Sequence, residues 1–157
     1  MLTFEELYDS YYKDVYRFTY WLIGNREDAE DLTSETFIRA WSNHHRINAE
    51  TMKGYLFAIA RNFYIDQFRK KKKKKEIKDS HRDPAILLDK KFEIEDEIRN
   101  IHLILNTFHE IDRSAFLLRV ESELPYDEIA RILEISVSSA KVKVHRIRKR
   151  IIAERNK

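Results

Sequence analysis

A chain of 157 residues, 43% of them hydrophobic, is long enough to bury one core or two small ones. It contains no cysteine, which excludes disulfides, thiolate zinc sites, iron–sulfur clusters and a cysteine nucleophile; two glycines and two prolines supply too little turn chemistry for a sheet protein. The net charge is +3, and no stretch approaches the about eighteen uninterrupted apolar residues of a membrane span, so an all-α, cytoplasmic protein is expected.

The first element opens on a capping box, Thr3 followed by Glu6, after which Leu7, Tyr11, Val15, Phe18 and Leu22 recur at helical spacing. This predicts a helix from Phe4 to Ile23, closed by Gly24 in a left-handed cap, with Asn25 capping the next helix. In that second helix Ala29, Leu32, Thr33, Thr36, Phe37, Ala40 and Trp41 form the expected buried stripe, and Asp28, Asp31, Ser34, Glu35 and Arg39 fall outside it. A polar connection, HHRINAET, leads to a third helix with Met52, Leu56, Ile59 and Phe63 inward. It runs into seven consecutive cations, Arg69 to Lys75.

Residues 76–92 lose aromatic content and carry Asp83-Pro84, which reads as a linker with a helical fragment near Ile86 to Leu88. The expected organisation is therefore two modules, 1–75 and 93–157. Fifteen of the nineteen aromatic residues precede the linker, giving the first module the heavier core and rings for stacking on bases.

Beyond the linker Ile94, Ile98, Ile101 and Leu105 mark one helix, and Ala115, Leu118 and Leu124 bracket another opening near Asp112. The clearest local signal follows. A short helix from Tyr126 to Leu133, a turn of Glu134, Ile135 and Ser136, and a longer basic helix capped by Ser136 have the proportions of a helix-turn-helix. Ile129, Ala130 and Leu133 are expected to pack on Val137, Ala140 and Val144, with Ala130 allowing close approach. That leaves Lys141, Val142, His145 and Arg146 outward, able to meet base edges in a major groove, and Lys143, Arg148 and Lys149 able to meet phosphate.

Charge is segregated along the chain. Residues 1–49 hold 5 basic and 9 acidic side chains, 50–75 hold 9 and 2, 76–135 hold 8 and 15, and 136–157 hold 8 and 1. Two basic blocks, each ending a module, are the footprint of a protein touching a polyanion in two places, because each neutralised phosphate releases counterions.

Three stretches in order, DAEDLTSETFIRAW (28–41), GYLFAIARNFYIDQFRK (54–70) and LPYDEIARILEISVSSAKVKVHRIRKRI (124–151), resemble the extracytoplasmic-function sigma factors, the minimal sigma-70 relatives of bacterial RNA polymerase. The resemblance implies a promoter-melting first module like sigma region 2, a linker, and a second module like sigma region 4 that reads the minus-thirty-five element as duplex. It implies core RNA polymerase, promoter DNA and an anti-sigma factor as partners, and no cofactor. Carried over by position, Asp28, Asp31, Glu35 and Arg39 face polymerase. Asn48, Lys53, Tyr55 and Asn62 capture an unstacked minus-ten base, with Arg69 and Lys70 on phosphate. Ser136, Lys141, Val142, His145, Arg146, Arg148 and Lys149 make the minus-thirty-five set.

The chain departs from the family at Ser34, usually Gln, at Glu134, usually Gly, and at Ser138-Ser139, often Gly-Thr. A left-handed Glu134 would carry modest strain. Phosphate-loop and hydrolase-elbow signatures are absent, the acids Glu95, Asp96 and Glu97 read as a solvated face, and His44 and His45 lack the further ligands of a metal site, so neither an enzyme nor a metalloprotein is expected. A stand-alone helix-turn-helix regulator would explain residues 112–157 but not a second basic, aromatic-rich helix. A lipid-binding role for Arg69 to Lys75 lacks a lipidation signal.

Overall fold

The protein's structure, a computed structural model, describes residues 3–42, 51–68 and 95–157. The expected linker at 76–92, Ile94 and the cation run Arg69 to Lys75 lie outside the described residues. Seven α-helices and no strand occur among the described residues: α1 (Phe4–Ile23), α2 (Arg26–Ser42), α3 (Met52–Phe63), α4 (Glu95–Asn106), α5 (Glu110–Val120), α6 (Tyr126–Leu133) and α7 (Val137–Arg155). A π-helical turn, Tyr64–Phe68, continues α3. The chain divides into two compact units, Met1–Arg82 and Asp83–Lys157.

In the first unit the local signals work as written. The Glu6 amide donates to Thr3 Oγ1 and the Thr3 amide to Glu6 Oε2, each at 3.1 Å, which satisfies donors the helix itself leaves open. Gly24 closes α1 at φ 79°, a conformation any side chain with a Cβ resists, and the Asp28 amide donates to Asn25 Oδ1 at 3.1 Å.

Helices α1, α2 and α3 pack pairwise around Val15, Phe18, Leu22, Leu32, Phe37, Leu56 and Phe57. Phe18 and Phe57 meet edge-on with centroids 5.1 Å apart, the arrangement their ring quadrupoles favour, and burial of each such side chain stabilises by roughly 1.5–3 kcal/mol. Where α1 crosses α2, the buried Thr19 and Thr33 hydroxyls share a 2.8 Å hydrogen bond, and Thr33 also donates to the Ala29 carbonyl at 2.7 Å. Small side chains with every polar atom satisfied let the two backbones come close without a desolvation penalty.

The buried set of the third helix is wider than expected: Leu56 and Ile59 are inward as expected and Met52 and Phe63 are half-buried, but Gly54 through Ala60 are all buried, because α3 packs against both α1 and α2 and so covers opposite faces. Trp41 is not part of the core; it is 48% exposed, with its ring edge-on to Phe4 at 5.8 Å.

In the second unit α7 is the central helix, packing on α4, α5 and α6 over an aliphatic core of Leu118, Ile129, Leu133, Ala140, Val144 and Ile147. The helix-turn-helix has the expected boundaries. Glu134 caps α6 in the left-handed region at φ 56°, ψ 45°, and the Ile135 amide donates to the Ala130 carbonyl at 3.0 Å. The turn thus keeps the hydrogen bonds a glycine would allow while holding a Cβ there, at a cost of about 1 kcal/mol. Glu123, ahead of Leu124 in the preceding turn, adopts φ 56° as well, which no sequence pattern flagged. Val137, expected against α6, is instead 38% exposed in the first turn of α7, and Ile147, one turn beyond Val144, is fully buried. α5 opens at Glu110, two residues before Asp112.

Candidate nucleic-acid interface

Helix α7 begins where the exposed Ser136 accepts a hydrogen bond from the Ser139 amide at 3.0 Å, so this hydroxyl caps the helix start. From there the burial of Ala140, Val144 and Ile147 fixes the rotation of the helix. Lys141, Val142, His145, Arg146, Arg148 and Lys149 are all exposed, and the fold brings them together along one element. Val142, 47% exposed among cations, is an apolar surface of the kind that meets a thymine methyl.

Ion pairing sorts the basic side chains at the end of the chain into two groups. Lys143 bonds Asp112 at 3.1 Å with both side chains largely covered, Arg150 and Lys157 pair with Glu154, and Arg155 pairs with Glu97 at 2.9 Å. Lys143 is thereby corrected: its charge is neutralised by α5 and ties α7 to it. Lys141, Arg146, Arg148 and Lys149 have no carboxylate partner among the described residues. The four unneutralised cations are the ones expected at DNA, so the field of this face is positive where the helix is outermost.

One further group was not anticipated. The Lys141 ammonium lies 5.7 Å from the centroid of the Tyr126 ring at the start of α6, and the Arg119 guanidinium of α5 lies 4.5 Å from the same centroid. Arg119 also donates to the Leu124 carbonyl at 3.1 Å. No sequence motif joins residues 119, 126 and 141; only the packing of three helices does.

The first unit places its candidates less uniformly. Lys53 is half-buried, with its ammonium 6.0 Å from the Phe57 centroid, and Asn62 is exposed on the last turn of α3. Tyr55 does not present a ring to solvent. It is 5% exposed, its hydroxyl donates to the Ala40 carbonyl at 3.2 Å, and burial raises its pKa above the ordinary 10.0. The helix that should offer the ring instead needs it to seal α3 against α2. Asn48, Arg69, Lys70, His44 and His45 lie outside the described residues.

Along α2, Asp31 is exposed with no cation partner among the described residues, and Asp28 is half-buried in the first turn. Glu35 bonds Arg39 at 3.2 Å, and the Arg39 guanidinium lies 4.2 Å from the Phe63 centroid, a bridge from α2 to α3. Ile38 and Trp41, 53% and 48% exposed, add apolar surface to the same helix. Period counting puts Trp41 in the buried stripe, and only packing shows that the stripe stops short of it. On α1, Phe4, Tyr8, Tyr12, Tyr16 and Tyr20 form a ladder with neighbouring centroids 4.9–6.1 Å apart. Desolvation first, then the neighbouring Tyr8, Glu30 and Tyr16, raises the pKa of Tyr12.

Among the described residues no group of three or more His, Asp or Glu side chains could hold a metal ion, and no helix is long and apolar enough to cross a membrane.

Comparison with known proteins bears on both units. Residues 7–74 match the Sigma-70 region 2 family and residues 98–151 the Sigma-70 region 4 family. The chain is 31% identical to the ECF RNA polymerase sigma factor SigM of Bacillus subtilis, over 99% of this chain and 97% of that protein. It is 29% identical to SigX of the same organism, over 92% and 79%. Among solved structures, the sigma factor RpoE of Bartonella quintana, in complex with the anti-sigma factor NepR, shares the fold with a TM-score of 0.74 at 24% identity, covering 94% and 93% of the two chains.

Proposed function

The chain belongs to the extracytoplasmic-function sigma factors of the sigma-70 family, and from that premise we propose how its residues divide the work of an RNA polymerase sigma factor. Such a factor directs core polymerase to specific promoters and assists their melting. In this chain α7 lies in the major groove of the minus-thirty-five element, with Lys141, Val142, His145 and Arg146 toward base edges and Arg148 and Lys149 on phosphate. The observation that carries this assignment is the sorting of charge on α7: Lys143 is held by Asp112 of α5, and four cations with no carboxylate partner among the described residues occupy the outward face.

In the first unit Asn62 and Lys53 serve the melted minus-ten strand, joined by Asn48, Arg69 and Lys70. Unstacking a base costs a few kcal/mol, and a side-chain amide such as Asn62 can bond the exposed edge. Polymerase docks on α2 through Asp31, with Asp28, Glu35 and Arg39 beside it. The modules are 1–75 and 93–157, the protein acts in the cytoplasm, and it works by binding rather than by catalysis. An anti-sigma factor is the partner that would occlude these surfaces; RpoE, which shares this fold, was solved with one. A stand-alone regulator is the weaker reading, because it leaves the region 2 match of the first unit without a role.

Runoff transcription with purified core polymerase on a pool of promoter fragments tests the assignment. Transcripts that depend on this chain establish the role and yield the promoter sequence. Duplex binding without transcripts would favour the regulator.

A further inference from the structure

We propose that α1 carries a self-complementary surface through which two copies of this chain associate, with their first helices antiparallel about a two-fold axis. The inference stands apart from the promoter reading, because it uses none of the residues assigned to DNA or polymerase.

Glu5, Asp9, Lys13 and Arg17 follow one another at four-residue spacing, so they form one stripe along the helix, and all four are exposed. The stripe reads acid, acid, base, base, and Lys13 and Arg17 are the only cations of α1. Glu5, Asp9 and Lys13 have no ion-pair partner among the described residues. A second α1 laid alongside in the opposite direction sets Glu5 against Arg17 of the second copy and Asp9 against Lys13 of the second copy, and the two-fold axis repeats both pairs. A parallel copy sets acid on acid and base on base. The order of signs therefore selects the antiparallel pairing.

An aromatic surface runs beside the charges. Each member of the stripe precedes a ladder tyrosine by three positions, Tyr8, Tyr12, Tyr16 and Tyr20 in turn, which makes them neighbours on the helix surface. These tyrosines are half-buried. Adjacent rings lie 4.9–6.1 Å apart with interplanar angles of 12–37°, so they cover one another's faces and leave no gap for a base to enter. Ring edges are what the ladder presents, a surface that suits a packed protein helix better than an unpaired strand. Tyrosine supplies large contact area at small entropic cost, which is why it is frequent in protein interfaces. From Glu5 to Tyr20 the surface is about 23 Å long, the scale of a small, exchanging dimer rather than an obligate one.

Sedimentation velocity of the full chain over a concentration series reads the association. The wild type is expected to dimerise at about 10–100 μM and to dissociate as salt rises. Asp9→Lys and Lys13→Asp each set like charges opposite one another in both symmetry-related pairs and should weaken dimerisation about tenfold. Mixed together, the two variants restore opposite charges at every position, so a heterodimer of wild-type affinity should form, read with one variant fluorescently labelled. A change in helix stability alone would persist in the mixture and give no such rescue. A wild-type chain that stays monomeric up to about 300 μM, or a mixture that associates no better than either variant alone, would overturn the dimer. If the wild type is monomeric and both variants lose core polymerase in a pull-down, the stripe is a polymerase contact and the proposal is likewise overturned.

Discussion

The two units solve the same task, placing polar side chains on a helical scaffold, in different ways. In the second, α7 separates its duties by period: Ala140, Val144 and Ile147 are buried, and the unpaired cations lie outward. In the first, structure and candidate site overlap. Tyr55 stands in the candidate stretch yet fills the core, Arg39 braces α2 to α3 through Phe63, and Trp41 lies half outside a stripe that should have buried it. A helix packed on several neighbours through one stripe keeps a legible outer face. A helix covered on opposite sides, as α3 is, does not.

That contrast can be pressed from both sides. The largest effect is expected from Phe57→Ala, which removes a fully buried ring at the junction of α1 and α3 and should destabilise the first unit by about 3–5 kcal/mol. Hydrogen exchange read separately in each unit should show the loss confined to the first unit; equal loss in both would mean that the units fold as one. Asp31→Lys reverses an exposed, unpaired charge, so core polymerase retention in a pull-down should be lost while the melting curve is unchanged.

Arg146→Ala should relax preference at one minus-thirty-five position by about 1–3 kcal/mol without altering stability, measured by binding across promoter variants. Tyr55→Phe deletes the bond to the Ala40 carbonyl and should cost about 1 kcal/mol near neutral pH, leaving minus-ten melting intact in a permanganate footprint. The same residue sets a pH dependence. Its folded pKa is raised, so its contribution is present below the ordinary 10.0 and fades as pH climbs beyond that value, where the unfolded chain ionises first. Alkaline denaturation of the first unit should therefore be shallower in Tyr55→Phe than in the wild type. The smallest effect is Glu134→Gly, expected to stabilise the second unit by up to about 1 kcal/mol in a thermal melt by relieving the left-handed Cβ.

Local rules written in a few consecutive residues determined much of this protein from sequence alone. The Thr3 and Glu6 capping box, the Gly24 cap, the spacing of the helix-turn-helix and the Ser136 N-cap each depend on neighbours within a turn or so, and the structure reproduces them. The outward set on α7 was legible for the same reason, since a 3.6-residue period assigns faces once a few buried positions are known. Tertiary structure alone decided the rest. That Lys143 is neutralised by Asp112, that Tyr55 faces inward, that Trp41 stays half exposed, and that Arg119 and Lys141 share the Tyr126 ring all depend on residues many positions apart. Helical period says which side chains share a face of one helix; only packing says what that face meets.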